Sequence, residues 1–153
     1  MRYLPAVSGY LRRRVDREAV EDLAADVFAV AWRKRSSVTP GEELPWLYRI
    51  ASYVVANHRR RLKTRVSLAH LLIAPDSAPA ADAFIGEQNA ALAAGWAALR
   101  PRDREVLALA VLEGIPVAEI ALALGATPNA VSIRLHRAKR ALAAVVEQER
   151  SAE

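Results

Sequence analysis

Four cations lie close together near the end of the sequence, at positions that one helix could present to a polyanion. They are Arg134, Arg137, Lys139 and Arg140. Guanidinium and ammonium groups neutralise phosphates, and an arginine can also donate two hydrogen bonds to the edge of a guanine. The chemistry that these side chains offer is therefore nucleic-acid binding.

The residues around these cations predict a helix-turn-helix. Gly125 suits the sharp end of one helix, Thr127 can cap the next, and Pro128 takes its first position, where a missing N–H costs nothing. The buried stripe of that second helix is predicted at Ala130, Val131, Leu135, Ala138 and Leu142. This arrangement is typical of a recognition helix for DNA, and the alternative is a helical hairpin with a solvated basic face.

The charge composition indicates a basic protein that binds an acidic partner. The chain has 153 residues, 53% of them apolar, and a net charge of +5. Lys and Arg outnumber Asp and Glu two to one in residues 1–65 and only balance them in residues 101–153. The positive excess therefore belongs to the first part of the chain, while the last part is basic only on its recognition helix.

Several classes of function find little support in the sequence. The chain has no cysteine, and its three histidines are scattered, so we expect no metal site, no thiol chemistry and no cofactor. A carboxylate site at Glu21, Asp22 and Asp26 is conceivable, but no phosphate-binding loop accompanies it, which argues against an enzyme. No apolar run reaches membrane-spanning length and no signal peptide is recognisable, so we expect a cytoplasmic protein without membrane insertion.

The periodicity predicts an all-α fold with two small helical domains. Residues 1–63 form the first and residues 89–150 the second, which contains the helix-turn-helix. Residues 64–88 are rich in Ala and Pro and are predicted to be a flexible linker. The first predicted helix starts within the first residues of the sequence, which is compatible with a shortened N-terminus.

Two further helices are predicted in the first domain. Asp16 is expected to cap the second, whose core stripe is Val20, Leu23, Ala24, Val27 and Ala31. Pro45 is expected in the first turn of the third, whose buried side is Leu47, Ile50, Ala51 and Val54. A second line of this third helix mixes aromatic and polar or cationic residues: Trp46, Arg49, Tyr53, Asn57 and Arg60. Such a mixture suits single-stranded nucleic acid, and the alternative is that the aromatics belong to the core.

Three segments together resemble bacterial sigma factors of the sigma-70 family. Residues 20–28 with Ala31 and Trp32 resemble the segment that binds core RNA polymerase, and residues 45–51 resemble the promoter-melting segment. Residues 99–107, 118–121 and 134–138 resemble the domain that reads the minus-thirty-five element. The size of the chain and the presence of these two domains alone point to the extracytoplasmic-function group.

The resemblance implies partners and site residues. The first domain would dock on the coiled coil of the largest polymerase subunit, and the last on the flap. An anti-sigma factor is a further candidate partner. The implied polymerase contacts are Asp22, Asp26, Phe28 and Trp32. The implied minus-ten contacts are Trp46, Tyr48, Arg49, Asn57, Arg59 and Arg60, with the loop 36–44. The implied minus-thirty-five contacts are Asn129, Ser132, Arg134, Arg137 and Lys139.

The sequence departs from the family pattern at two places. Ser52 and Tyr53 stand where Arg and Asn are usual, which alters a polar position near the melted region. Ser132 and Ile133 replace a commoner pair of a basic residue and Ser, so a different base preference is expected. The alternative function is a stand-alone helix-turn-helix regulator that binds duplex DNA without polymerase. It would leave the acidic and aromatic pattern of residues 21–32 without a purpose.

Overall fold

The structure is a computed structural model that describes residues 2–69 and 90–152 of the chain. The chain divides into two units, residues 1–80 and 81–153. In the described residues all regular structure is helical, as the sequence predicts. Most of the predicted linker, residues 70–88, lies outside the described residues.

In residues 2–69, the part of it that the structure describes, the first unit is built from three α-helices and two short 3₁₀ turns. The helices are α1 (Leu4–Arg12), α2 (Val20–Arg33) and α3 (Glu43–Ala69), and the turns are Arg17–Ala19 and Arg35–Ser37. The apolar positions predicted for the core are buried, except that Val20 is only partly covered. The hydrophobic stripes of the three helices therefore hold this unit together, with the polar faces left outside.

The ends of two helices differ from the prediction. The carbonyl of Asp16 accepts the N–H of Ala19 at 2.9 Å, which closes a 3₁₀ turn, and the Asp16 side chain makes no capping bond. The expectation that Asp16 caps α2 is therefore wrong, because α2 begins only at Val20. The third helix begins at Glu43, two residues ahead of Pro45, and continues to Ala69, beyond the predicted boundary at residue 63.

Residues 90–152, the described part of the second unit, form four helices around one core. They are α4 (Ala90–Ala98), α5 (Pro101–Val111), α6 (Val117–Leu124) and α7 (Pro128–Ala152). Its central buried cluster consists of Trp96, Leu99, Leu107, Ala108 and Ala138, with Leu92, Leu112, Leu135 and Leu142 packed against it. The apolar stripe of α7 thus packs on the first two helices of this unit, α4 and α5.

The helix-turn-helix forms as the sequence predicts. Gly125 ends α6 with φ 63° and ψ 35°, a left-handed conformation that suits glycine, and the N–H of Ala126 donates to the carbonyl of Ala121 at 2.9 Å. The hydroxyl of Thr127 accepts the N–H of Ala130 at 3.2 Å and so caps α7. Local turn chemistry therefore fixes where the second helix of the motif begins.

Close packing of α4 on α7 depends on Gly95. A Cβ atom at this position would lie 2.8 Å from Cδ1 of Leu142 and 3.3 Å from Cβ of Val145. We expect Gly95→Val to lower the free energy of unfolding of the second unit by about 1–3 kcal/mol, because it overfills this crossing. Thermal denaturation followed by circular dichroism measures the loss. Ala94→Val, at an exposed position of the same helix, is the control, and an equal loss in both variants would contradict the prediction.

Candidate nucleic-acid and polymerase interfaces

The residues predicted to bind polymerase lie on α2, but on two sides of its exposed face. Asp22 and Asp26 are exposed and one turn apart. Asp26 lines a cleft of about 320 Å³ between α2 and α3. Phe28 is half-buried and lines a groove of about 470 Å³ between α1 and α2. The two carboxylates and the aromatic side chains therefore present separate surfaces of one helix.

Trp32 is the most exposed large apolar side chain among the described residues, with 68% of its surface accessible. The guanidinium of Arg35 lies 4.2 Å from the centre of its ring and donates a 2.7 Å hydrogen bond to the Trp32 carbonyl. This cation–π contact orders the end of α2 without burying the indole. An exposed tryptophan beside a cation is a surface that a protein partner could cover.

Tyr48 does not lie on a DNA-facing surface, contrary to the prediction. Its side chain is only 4% exposed, and its ring centre lies 5.3 Å from that of Tyr10. Arg14 stacks its guanidinium 3.6 Å from the centre of the Tyr10 ring and donates to the Tyr10 carbonyl at 3.0 Å. Tyr48 is therefore a core residue, because α1 covers it, and its ring is not accessible to DNA.

Arg14 is a buried residue whose burial was not predicted from the sequence. Its side chain is 5% exposed although it ends a run of three arginines that looks solvated. The available signal was helical spacing, since Arg14 continues the buried positions Val7, Tyr10 and Leu11 of α1. Its position fixes the aromatic packing between α1 and α3.

One face of α3 carries the predicted mixture of aromatic and polar residues. Tyr53 is 58% exposed and Trp46 is half-buried. Arg49, Asn57 and Arg60 are exposed, and the Arg60 guanidinium donates to the side-chain oxygen of Asn57. Because these positions recur every three or four residues, they form a continuous row. We call it the α3 row: Trp46, Arg49, Tyr53, Asn57 and Arg60.

Arg59 lies apart from the α3 row. Its guanidinium donates to the carbonyl of Arg14 across 3.3 Å, so the side chain reaches toward the segment that follows α1. The structure therefore brings together four of the residues predicted for the minus-ten side, and places Tyr48 and Arg59 elsewhere.

The loop ahead of α3 is fixed at its end by Glu43. The Glu43 carboxylate accepts the N–H of Gly41 at 3.1 Å, and Gly41 has a φ of 89°, in the left-handed region. Hydrogen bonds from the backbone N–H groups of Glu43 itself and of Gly41 hold the pKa of Glu43 below its usual value. This contact sets the direction in which the chain enters the α3 row.

The outward face of α7 contains two residues predicted to lie there, Asn129 and Arg140, and two that were not, Ile133 and His136. Val131 and Ala138 are fully buried. Opposite them lies a row of exposed residues, which we call the α7 outer row: Asn129, Ile133, His136 and Arg140. Of the predicted contacts, Asn129 belongs to this row. Ser132 and Lys139 flank it on one side, and Arg134 and Arg137 flank it on the other.

Arg137 makes a bidentate ion pair inside the second unit. Its Nε and Nη2 atoms donate to the two carboxylate oxygens of Asp103 at 3.1 and 2.8 Å. Asp103 is 3% exposed, whereas the Arg137 side chain is about half exposed. The hydrogen bonds from Arg137, with smaller effects of Arg100 and Arg134, hold the pKa of Asp103 below its usual value. Arg137 therefore joins α7 to α5, a role that was not predicted from the sequence.

In residues 2–69 and 90–152, no group of three or more His, Asp or Glu side chains is placed to hold a metal ion. None of the helices that the structure describes combines the length and apolar character needed to cross a bilayer.

Comparison with protein families assigns both units. The model of Sigma-70 region 2 matches residues 1–65, and that of Sigma-70, region 4 matches residues 92–142. The ECF RNA polymerase sigma factor BldN of Streptomyces coelicolor is 32% identical over 92% of this chain and 56% of its own length. The ECF RNA polymerase sigma factor SigF of Caulobacter vibrioides is 31% identical over 81% of this chain and 69% of its own length.

Solved structures share the fold. CnrH in complex with the cytosolic domain of CnrY is 24% identical, with a TM-score of 0.64 over 96% of this chain and 84% of its own. The sigma factor RpoE in complex with the anti-sigma factor NepR, from Bartonella quintana, is 19% identical, with a TM-score of 0.64 over 94% and 91%. This chain spans only a little over half the length of BldN. With both regions matched in order, the chain belongs to the extracytoplasmic-function group of the sigma-70 family of RNA polymerase sigma factors.

Proposed function

We propose that this chain binds core RNA polymerase and directs promoter-specific initiation, opening the minus-ten region and reading the minus-thirty-five element. The observation that carries the proposal is the combination of two surfaces in one chain. The first unit exposes an aromatic and cationic row on α3, and the second presents a capped recognition helix. Single-stranded and duplex DNA require these two kinds of surface respectively. The place of action is the cytoplasm, where bacterial promoters are found.

The proposal gives each part of the chain a role. Residues 1–63 form the region 2 domain, residues 64–88 the linker and residues 89–150 the region 4 domain. Asp22, Asp26, Phe28 and Trp32 contact the coiled coil of the largest polymerase subunit, and the region 4 domain sits on the flap. Exposed carboxylates and an exposed indole support this because they suit a protein partner better than DNA.

The DNA contacts fall on both units. The α3 row binds the unpaired minus-ten strand, and Arg59, which lies apart from this row, adds positive charge to the same unit. Asn129, Ser132, Arg134 and Lys139 approach the minus-thirty-five duplex, and the exposed half of Arg137 adds charge near a phosphate. The support for these roles is the placement of the side chains on the faces of α3 and α7, where all are exposed except Trp46 and Arg134, which are half-buried.

The chain has one alternative function and one further candidate partner. Family membership does not favour a stand-alone helix-turn-helix regulator, because such a protein needs no polymerase-binding α2. An anti-sigma factor is a proposed partner, since RpoE of Bartonella quintana was solved with the anti-sigma factor NepR. The polymerase carries out RNA synthesis in this scheme, so the chain itself needs no catalytic group.

Run-off transcription tests the proposal directly. Bacterial core polymerase is incubated with a library of promoter fragments, with and without this chain. We expect transcripts from a defined set of promoters only when the chain is present. A chain that binds a promoter tightly alone and adds nothing to core polymerase would instead be a stand-alone regulator.

Charge reversal on α2 tests the polymerase contact. We expect the double variant Asp22→Arg, Asp26→Arg to bind core polymerase severalfold more weakly while its thermal midpoint stays close to that of the wild type. Exposed substitutions usually change stability little, whereas charge complementarity controls association. The control is Glu147→Arg, Glu149→Arg, which makes the same change in net charge at exposed positions of α7. Equal affinities of the two variants for core polymerase would overturn this assignment.

A further inference from the structure

Ile133 is an apolar side chain in the middle of a polar surface. It is 55% exposed and lies in the α7 outer row between Asn129 and His136. It is the sixth residue of α7, which begins at Pro128. In a helix-turn-helix, residues near the start of the second helix approach the base edges in the major groove. Ile133 therefore lies at the part of the helix that meets bases.

The fold does not explain this isoleucine. Val131 and Ala138, on the opposite side of α7, are fully buried and supply the packing of the helix on its unit. A large aliphatic side chain left in water gains nothing from burial until a partner covers it. The exposed position of Ile133 is consequently better matched to a contact with a bound molecule than to stability of the unit.

Only one group on the major-groove edges of the base pairs is apolar. Adenine, guanine and cytosine present hydrogen-bond donors and acceptors there, whereas thymine adds its C5-methyl group. An isoleucine can neither donate nor accept a hydrogen bond, so it is mismatched to the polar edges and matched to that methyl. Its neighbours Asn129 and Arg134 carry the amide and guanidinium groups suited to adenine and guanine.

We propose that Ile133 packs against a thymine methyl group in the minus-thirty-five element and so determines a preference for thymine at one position. The inference rests on the proposed function, since it assumes that α7 enters the major groove of a promoter. It goes beyond that function by assigning one base preference to one side chain.

Removal of the methyl group from DNA tests the contact. A promoter selected by the wild-type holoenzyme is rebuilt with deoxyuridine in place of each minus-thirty-five thymidine in turn, which keeps base pairing and deletes only the methyl. We expect one such template to bind the wild-type holoenzyme about fourfold more weakly, the effect of one buried methyl group. The same template should bind the Ile133→Ala holoenzyme as well as the thymidine template does.

Val111→Ala is the matched control. Val111 is 61% exposed at the end of α5, outside the α7 outer row, so this variant should keep the full deoxyuridine effect. Circular dichroism of each free variant checks that both units are folded.

The outcomes separate the inference from the function on which it rests. If deoxyuridine has no effect at any position while transcription persists, Ile133 does not read a methyl group and the inference is wrong. If the deoxyuridine effect persists in the Ile133→Ala holoenzyme, another side chain contacts the methyl group and the inference is also wrong. This result includes the case in which Ile133 contacts a protein. Absence of promoter-specific transcription altogether would instead remove the proposed function.

Discussion

Replacing Arg137 by alanine should destabilise the second unit more than the same replacement at Arg134, although both cations lie on one flank of α7. Arg137 neutralises Asp103, which is 3% exposed and accepts two hydrogen bonds from it. Removing one partner of such a pair leaves a buried carboxylate without compensation. We expect a clear fall in the thermal midpoint for Arg137→Ala and little change for Arg134→Ala, measured by circular dichroism on the full chain.

A double variant separates the structural role of Arg137 from a DNA contact. Removing both members of a buried pair is less harmful than removing one, so Asp103→Ala, Arg137→Ala should be more stable than Arg137→Ala alone. If Arg137→Ala weakens promoter binding and the double variant regains it, the weaker binding of the single variant came from its destabilised fold. Equal midpoints for Arg134→Ala and Arg137→Ala would show that the ion pair does not stabilise the unit.

The ion pair between Asp103 and Arg137 also predicts how the stability of the second unit depends on pH. The pKa of Asp103 is lowered in the folded chain. The stabilisation that the ionised Asp103 gives to the fold is therefore complete above the pKa of an unfolded aspartate, near 3.8. The contribution is lost as the pH falls through the lowered folded value. The wild type should therefore lose stability more steeply than Arg137→Ala below about pH 4, whereas both should show flat profiles near neutrality.

Local chemistry explains what could be predicted from the sequence. The helix-turn-helix was predictable because Gly125, Thr127 and Pro128 act on their own turns, without help from distant residues. The core stripes of α2 and α3 were predictable because helical periodicity records which side is buried. Asp16 was mispredicted because a 3₁₀ turn competes with the helix start, and a capping residue alone does not reveal that turn.

Contacts between helices explain what could not be predicted. Tyr48 and Tyr53 look equally suited to a DNA surface, and only the packing of α1 on α3 buries one and exposes the other. The partner of Arg137 lies 34 residues earlier in the chain, so sequence spacing gives no sign of it. Helical spacing indicates which residues share a face of α7. The α7 outer row could be identified only from the burial of Val131 and Ala138, which defines the opposite side of the helix.

The exposure of Tyr53 leads to a prediction about promoter opening. Tyr53 is 58% exposed in the α3 row, beside cations that can neutralise phosphates. Stacking of a base on an aromatic ring contributes about 1–3 kcal/mol per base. We expect Tyr53→Ala to reduce open-complex formation by about tenfold, whereas Tyr53→Phe, which keeps the ring, should stay close to the wild type.

Permanganate reactivity of unpaired thymines in the minus-ten region measures open complexes, and binding of the holoenzyme to a single-stranded minus-ten oligonucleotide measures the stacking contact itself. Leu62→Ala serves as the control, since Leu62 is a 38% exposed side chain of α3 outside the α3 row. A stacking role requires that Tyr53→Ala lose affinity for the single strand while binding of core polymerase is unchanged. If Tyr53→Phe loses as much as Tyr53→Ala, the hydroxyl group rather than the ring makes the contact, and the α3 row binds DNA by hydrogen bonds at this position.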